Sequence, residues 1–326
     1  AISKLCKSIS SIIKAIYGKN KKCIVLDLDN TLWGGVIGDD GVKGIKIGTE
    51  TAIGEAYTGF QKYIKDIKKL GITLAIASKN EEQIAVEGLN LKEMILKEND
   101  FFSIKANWNP KTENIKEIAN EINIGLDSIV FLDDNPVERE IVKKQLPEVE
   151  VPDIGSDVLE YIKYIDQNSF FEIVNFSKED LERTKYYEDN KERENAKSHF
   201  KDYNEFLKSL EMKAEISFVK PIYFDRITQL INKTNQFNLT TKRYTLAEVE
   251  TIANSKDKII VYGRLKDKFG DNGLITTVIG TIVRDELHID LWLMSYRVLK
   301  REMESAVLDF LIEYCQKNSV KNIYGY

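Results

Sequence analysis

The sequence predicts an α/β chain in two parts, a doubly wound parallel sheet followed by an α+β domain. Three observations predict it. In the first half, short apolar runs alternate with stretches whose apolar residues recur at helical spacing, the pattern of strands covered by helices on both faces. After about Asn175 this alternation gives way to consecutive helical stretches and then strand-like runs joined by short polar turns. The chain has 326 residues, and at roughly 150 residues per domain that length suggests two domains. The expected boundaries are 1–20 for an N-terminal helix, 21–170 for the parallel-sheet domain, and 171–326 for the α+β domain with a long leading helix.

Each element has its own signal. Ala1–Tyr17 carries Ile2, Ile9, Ile12, Ile13 and Ile16, interrupted by Lys4, Lys7 and Lys14, and reads as an amphipathic helix rather than a signal peptide. The chain opens on Ala1 rather than Met, as expected of a processed or excised piece. Lys22–Leu28 is a nearly continuous apolar run, hence a buried strand, and Trp33–Gly48 is a Gly-rich hairpin. Thr49–Leu70 is a helix with Phe60, Ile64 and Ile67 on one side, stopped by Gly71. Ile72–Ala77 is the next strand, Glu81–Leu89 a helix, Phe101–Ile104 a short strand and Lys111–Ile122 a helix. Ser128–Leu132 is a further buried strand, and Pro136 opens a helix at a favoured first-turn position.

Beyond these, Ser177–Asp180 is a capping-type start for a charged helix running to about Leu210. The charges of Lys185–Lys201 read as a solvated helix face. Lys213–Val219 is a strand, and Ile222–Lys233 and Leu246–Asn254 are helices. Lys258–Gly263, Gly273–Val283 and Leu287–Leu293 form an antiparallel meander with turns such as Asp285–Glu286. Arg301–Lys317 is a helix and Lys321–Tyr324 a last strand.

Composition narrows the function classes. With 47 Lys and Arg against 52 Asp and Glu, the net charge is −5, which argues against coating DNA or an anionic membrane. Apolar residues make up 43% and charged residues 30%, ordinary values for a folded chain. No apolar run approaches the ~18–20 residues that span a bilayer. Three scattered cysteines, Cys6, Cys23 and Cys315, form no disulfide framework or thiolate zinc site and fit the reducing cytoplasm. Two histidines, His199 and His288, supply neither a His-rich metal site nor a nucleophile–histidine triad.

The chemistry gathers at strand ends. Asp27 and Asp29 close the first strand, and residues two apart on a strand share a face. Asp133 and Asp134 close the strand Ser128–Leu132 in the same way. Carboxylates so gathered repel one another unless a cation sits among them, and hard oxygen ligands suit Mg²⁺. Ser78 closes the second strand and Lys111 opens a helix, a hydroxyl and an ammonium suited to phosphoryl oxygens.

The order Asp-x-Asp-x-Thr, Ser, Lys, Asp-Asp resembles the haloacid dehalogenase (HAD) superfamily of phosphatases and phosphotransferases. LDLDNTLWGGVIGDDG (Leu26–Gly41), NQFNLTTKRYT (Asn235–Thr245) and FGDNGLI (Phe269–Ile275) resemble its FkbH-like branch more closely. The resemblance implies that Asp27 is the nucleophile, forming an aspartyl-phosphate, and that Asp29 is the general acid/base. It implies Mg²⁺ held by Asp27, the Asp29 carbonyl, and Asp133 or Asp134, with Thr31, Ser78 and Lys111 on the phosphoryl group. It also implies a phosphorylated substrate, phosphoglycerate-type in the branch, whose glyceryl unit is loaded onto an acyl carrier protein. About 40 residues from Thr31 to Ile72 and about 32 from Ser78 to Lys111 leave no room for an inserted cap domain. An open site is expected, or one covered by the second domain.

The second domain resembles the GNAT acyltransferase fold, whose pyrophosphate-binding turn uses small residues after an arginine. The matching stretch begins at Arg297 but has Lys300 and Glu302 at the small positions, and Tyr296 where the branch often has cysteine. Asn235, Asn238, Asp271 and Arg297 are candidate substrate residues there. Two alternatives to the phosphatase reading are an acyl-CoA-dependent acyltransferase and a catalytically silent carrier-binding scaffold. Trp33 either leans over the site or packs the hairpin.

Overall fold

Four of the short apolar runs become the strands of one parallel sheet. The computed structural model describes residues 2–16, 20–172, 183–197, 199–234, 242–295 and 298–325. Helix α1 (Ile2–Ile16) comes first, then β1 (Cys23–Leu26), a helical turn α2 (Ile37–Asp40), α3 (Ala52–Lys69), β2 (Thr73–Ser78) and α4 (Glu82–Leu89). They are followed by β3 (Ser103–Ala106), α5 (Lys111–Ile122), β4 (Ile129–Leu132), α6 (Pro136–Gln145) and α7 (Val158–Asn168). The strand order is β3-β2-β1-β4, and every pair is parallel. All residues of β1, β2 and β4 are buried. Alternation along β1 divides them between two faces. Ile24 and Leu26 pack with Phe60, Ile64 and Tyr161 of α3 and α7, whereas Cys23 and Val25 pack with Ile115, Ile118 and Val142 of α5 and α6. This is the doubly wound arrangement expected.

Several details differ from the sequence expectation. The third strand is Ser103–Ala106 rather than Phe101–Ile104. The expected hairpin Trp33–Gly48 closes through one bridge, Gly34 and Lys46 exchanging both backbone hydrogen bonds at 3.0 and 2.7 Å, with α2 between its arms. Helix α7 is an unforeseen element, although its signals are present: the Asp157 carboxylate caps Leu159 N at 3.0 Å, and Val158, Tyr161 and Ile165 line its buried side. The segments between β1 and β2 and between Ser78 and Lys111 hold only α2, α3, α4, β3 and a 3₁₀ turn, so neither carries an inserted domain.

The chain divides into two units, Ala1–Ala15 with Lys19–Glu188, and Ile16–Gly18 with Asp189–Tyr326. The division falls within α8 (Arg183–Lys197), later than the expected boundary at 170/171. The capping start at Ser177–Asp180 lies outside the described residues. The helix does not run on to Leu210. His199 N and Phe200 N fold back onto the carbonyls of Ala196 and Lys197, and α9 (Tyr203–Ser209) starts afresh where Asp202 caps Asn204 N at 2.8 Å.

The second unit continues with β5 (Lys213–Phe218), α10 (Phe224–Lys233), α11 (Leu246–Ala253), β6 (Lys258–Lys266), β7 (Asp271–Val283), β8 (Glu286–Met294), α12 (Met303–Lys317) and β9 (Asn322–Gly325). Its sheet has the order β5-β6-β7-β8-β9, antiparallel except for the last pair, which is parallel. One face packs Ile227, Ile231 and Val249 of α10 and α11, and the other Met303, Val307 and Leu311 of α12. The expected α+β order is present. The charged run of α8 is not wholly solvated, because Arg193 is buried on the Asp267 carboxylate, its Nε donating at 2.7 Å. No helix among the described residues is long and apolar enough to cross a membrane.

Candidate active site

The site begins where β1 stops. The ladder runs one bond further, Asp27 N donating to Leu132 O at 2.9 Å, and then the chain turns. Thr31 N and Leu32 N both donate to Leu28 O, at 3.1 and 2.8 Å, and Asn30 takes a left-handed φ of 53°. Asparagine tolerates that region better than most residues. Three donors hold it there. The Asn30 carbonyl accepts from the hydroxyls of Tyr57 (3.2 Å) and Tyr161 (2.9 Å), and Asn30 Oδ1 accepts from Gly35 N at 2.9 Å. Burial pushes the Tyr57 phenol up to about 12, so it stays a donor. The turn corrects the expectation that Asp27 and Asp29 share one strand face: their carboxylates go to different partners.

Asp27 joins Lys111 and the end of β4. Lys111 is the first residue of α5 and is almost wholly buried. Its Nζ donates to Asp133 Oδ2 at 2.6 Å and lies 2.9 Å from Asp27 Oδ1. Carboxylate oxygens of Asp27, Asp133 and Asp134 lie within 4.8 Å of one another. Burial works against the Lys111 charge, but Asp27 and Asp133 outweigh it and hold the ammonium above the ordinary lysine range. Burial, and then repulsion from Asp27, push the carboxyls of Asp133 and Asp134 upward, with Lys111 opposing. One ammonium therefore faces three carboxylates. Asp27 Oδ1 is fully buried and, although close to Lys111, receives no aligned hydrogen bond. Three converging hard oxygens, under-compensated in charge and with a lone pair to spare, fit Mg²⁺.

The β4 loop that presents Asp133 and Asp134 is strapped from behind. Arg139 Nη1 donates to the carbonyls of Asp133 (2.8 Å) and Asp134 (2.6 Å), and its Nη2 donates to Asp153 Oδ1 at 2.7 Å. Asn135 N donates to Asp133 Oδ1 at 2.8 Å, and Asp134 N donates to the buried Thr31 hydroxyl at 3.2 Å.

Asp29 lies outside the carboxylate cluster. Its Oδ1 accepts from Trp33 Nε1 at 2.9 Å and Ile37 N at 3.0 Å, and its Oδ2 accepts from Asn80 Nδ2 at 2.9 Å. Three donors from three chain positions fix the carboxylate's orientation. Asn80 Nδ2 also donates to Ser78 Oγ at 3.1 Å, linking two residues that the sequence had singled out separately. Both readings of Trp33 hold in part, since it is fully buried in the core and holds Asp29.

Asp27, Thr31, Ser78, Lys111, Asp133 and Asp134 thus come together at the carboxyl ends of β1, β2 and β4, with Asp29 beside them. Sequence reasoning missed Asn80, Arg139, Tyr57 and Tyr161. In the second unit only Asp271 of the four candidates is described, and it serves its own turn. Its Oδ1 accepts from Gly273 N at 2.7 Å and its Oδ2 from Arg264 Nη2 at 3.2 Å. Asn235, Asn238 and Arg297 lie outside the described residues.

Comparison with known proteins gives three likenesses. The chain is 31% identical over 139 residues to a HAD-like hydrolase superfamily protein of Schizosaccharomyces pombe, across 37% of this chain and 79% of that protein. It is 47% identical, with a TM-score of 0.51, to the crystal structure of the N-terminal part of a Bacteroides fragilis protein containing a phosphatase domain complexed with Mg. That match covers 52% of this chain and 45% of the solved one, so the chain spans less than half the length of that relative. The ribosomal-protein-S18-alanine N-acetyltransferase of Escherichia coli matches 35% of this chain and 66% of its own at 12% identity and a TM-score of 0.28, too slight to carry an argument. No family model matches the chain.

Proposed function

The chain belongs to the HAD-like hydrolase superfamily, and from that premise we propose that it is a Mg²⁺-dependent phosphatase or phosphotransferase working through an aspartyl-phosphate on Asp27. The observation that carries the reading is the carboxylate cluster of Asp27, Asp133 and Asp134 set against one buried ammonium, Lys111. The Mg-bound phosphatase domain in the Bacteroides fragilis relative supports it. Asp27, Asp133 and Asp134 would hold the Mg²⁺, which supplies charge neutralisation to the incoming phosphoryl oxygens.

The chain's own residues do the rest. A carboxylate oxygen of Asp27 attacks phosphorus as the bond from phosphorus to the ester oxygen breaks, and Asp29 delivers a proton to the departing oxygen. Asp29, now ionised, takes a proton from a water molecule as that water attacks the aspartyl-phosphate and frees inorganic phosphate. An alcohol in place of water makes the same step a phosphotransfer. Lys111, 2.9 Å from Asp27 Oδ1, offsets charge on the phosphoryl group, while Thr31 and Ser78 orient it. Trp33, Ile37 N and Asn80 hold Asp29 in line.

No inserted domain covers the strand ends, which suits a phosphate ester borne on a large partner. The FkbH-like resemblance narrows this to loading a glyceryl-type unit onto an acyl carrier protein. The deciding experiment is phosphate release by the full chain with Mg²⁺, with a chelator, and by Asp27→Asn. The amide is isosteric but a poor nucleophile, so turnover should fall at least about 10³-fold, roughly 4 kcal/mol of barrier. Turnover by the variant at the wild-type rate would reject the assignment.

A further inference from the structure

The segment 78–80, where β2 ends, is held from three sides. Asn107 N donates to the Ser78 carbonyl at 3.1 Å, tying the segment to the end of β3. Asn80 Nδ2 donates to Asp29 Oδ2 at 2.9 Å, tying it to the loop after β1. Ser78 and Asn80 are both buried, and Lys79 between them reaches the far side of the site. Its Nζ donates to Glu138 Oε1, in α6, at 2.6 Å.

The strand order gives this contact its importance. β2 and β4 each pair with β1 and lie on either side of it. Neighbouring strands are about 4.8 Å apart, so the ends of β2 and β4 stand roughly 10 Å from each other. Past the last ladder bond, the distance from Ser78 to Asp133 and Asp134 is left to side chains. A lysine is long enough to cover most of such a gap, and the post it reaches is fixed. Glu138 lies in the first turn of α6, where the helix dipole favours a carboxylate. Asn135 Oδ1 caps Val137 N at 2.9 Å, and Arg139, the next residue after Glu138, is bound to the carbonyls of Asp133 and Asp134.

From this we infer that Lys79 is a positioning residue: with Glu138 it forms a clamp across the end of β1 that sets the separation of Ser78 from Asp133 and Asp134. The inference rests on the phosphatase reading of the site, in which the phosphoryl group lies between Ser78 and a Mg²⁺ held by Asp27, Asp133 and Asp134. That group must meet both sides at once, and a misplacement of about 1 Å can cost ~10²-fold in rate. The metal makes no such demand on the clamp. Its carboxylates follow β1 and β4, which are paired directly.

The test is a double-mutant cycle on the full chain. Lys79→Met and Glu138→Met each release one end of the clamp and keep most of the volume. Calorimetry measures orthovanadate, a phosphate analogue, at saturating Mg²⁺, and then Mg²⁺ alone. Each single variant should weaken vanadate at least about fivefold, and the double variant no more than about twofold beyond the worse single, because a clamp opened at one end is already open. Mg²⁺ affinity should change by no more than about threefold in all three variants. The lysine end of the pair is 43% exposed, and such pairs add little stability, so Tm should move by no more than about 3 °C. Unchanged vanadate affinity in either single variant, losses that multiply in the double, or a loss of Mg²⁺ affinity as large as that of vanadate would each overturn the clamp. So would an unaltered chain that takes up no vanadate. The expected cycle in vanadate binding, with no turnover of any phosphate ester by the unaltered chain, would overturn the phosphatase reading and leave the clamp standing.

Discussion

Lys111 sits where two demands meet, because among the described residues its ammonium is the ion-pair partner shared by the carboxylates of Asp27 and Asp133. Lys111→Met keeps most of the volume and removes the charge. Turnover should fall at least about 10²-fold, and the Tm of the metal-free chain should fall as well, since two buried carboxylates lose their partner. Mg²⁺ should then raise the Tm of the variant more than that of the wild type, because the site has become more negative by one charge. A smaller Mg²⁺ shift in the variant would show that Lys111 is not the cluster's counter-ion. Trp33→Phe tests positioning instead. It keeps the packed ring and removes one of the three donors on Asp29, so kcat should drop about tenfold with KM nearly unchanged; an unaltered kcat would mean that Ile37 N and Asn80 suffice. Asp27, Lys111 and Asp133 were legible in the sequence because each stands next to a buried strand or a helix start. Asn80 was not, since its partner Asp29 is 51 residues away and an asparagine after a strand looks like any turn residue. Arg139 was equally silent, because two of its acceptors are backbone carbonyls, which carry no residue signature.

At the scale of elements, buried strands with clear periodicity read most directly, and the misreadings came where charge or continuity misled. The run Lys185–Lys201 carries too many charges to announce that one of them is interior. Arg193 grips Asp267 with two nitrogens, at 2.7 and 2.9 Å, across 74 residues of chain. Arg301 Nη1 adds a third contact at 3.2 Å, and the backbone N–H groups of Phe269 and Gly270 donate at 3.0 and 3.1 Å. Burial opposes the Asp267 charge, but Arg193 and the turn donors win and hold the carboxyl below its ordinary range. A depressed folded pKa means that the stabilisation is complete above the unfolded value near 4 and is lost as pH falls through the lower folded one. This contact should therefore be indifferent to pH between 5 and 8. Asp267→Ala leaves two guanidiniums buried without a carboxylate and should cost about 3–5 kcal/mol, read as a lowered Tm at pH 7. Asp267→Ala melting like the wild type would show that water reaches the two arginines at no cost.

The two units differ in what their loops can do for a ligand, and that difference decides how the whole molecule works. In the first unit the loops leave carboxylates and an ammonium converging on one another. In the second, the stretch resembling a pyrophosphate-binding turn has the Lys300 N–H and carbonyl and the Arg301 guanidinium already engaged. Lys300 and Glu302 occupy the small-residue positions with left-handed φ values of 63° and 61°, the backbone a glycine would adopt without strain. The side chains of Lys300 and Glu302 add bulk that glycine would not. Lys300 N, a donor that would face an anion, gives its hydrogen to Glu304 Oε1 at 3.1 Å, and the Lys300 carbonyl is taken by the Tyr203 hydroxyl at 2.8 Å. Arg301, a cation of the same stretch, is committed to Asp267 and, at 3.3 Å, to Asn190 Oδ1. A pyrophosphate arriving here would have to displace one carboxylate and approach a second at Glu302. Coenzyme A should therefore bind no tighter than about 1 mM, or ~4 kcal/mol, and acetyl-CoA should leave the Tm of the full chain unmoved at 0.1 mM. Lys300→Gly with Glu302→Gly reopens the backbone and should tighten binding if sterics are the obstacle. Micromolar binding by the unaltered chain would overturn this reading and restore the acyl-CoA-dependent acyltransferase as the role of the second unit.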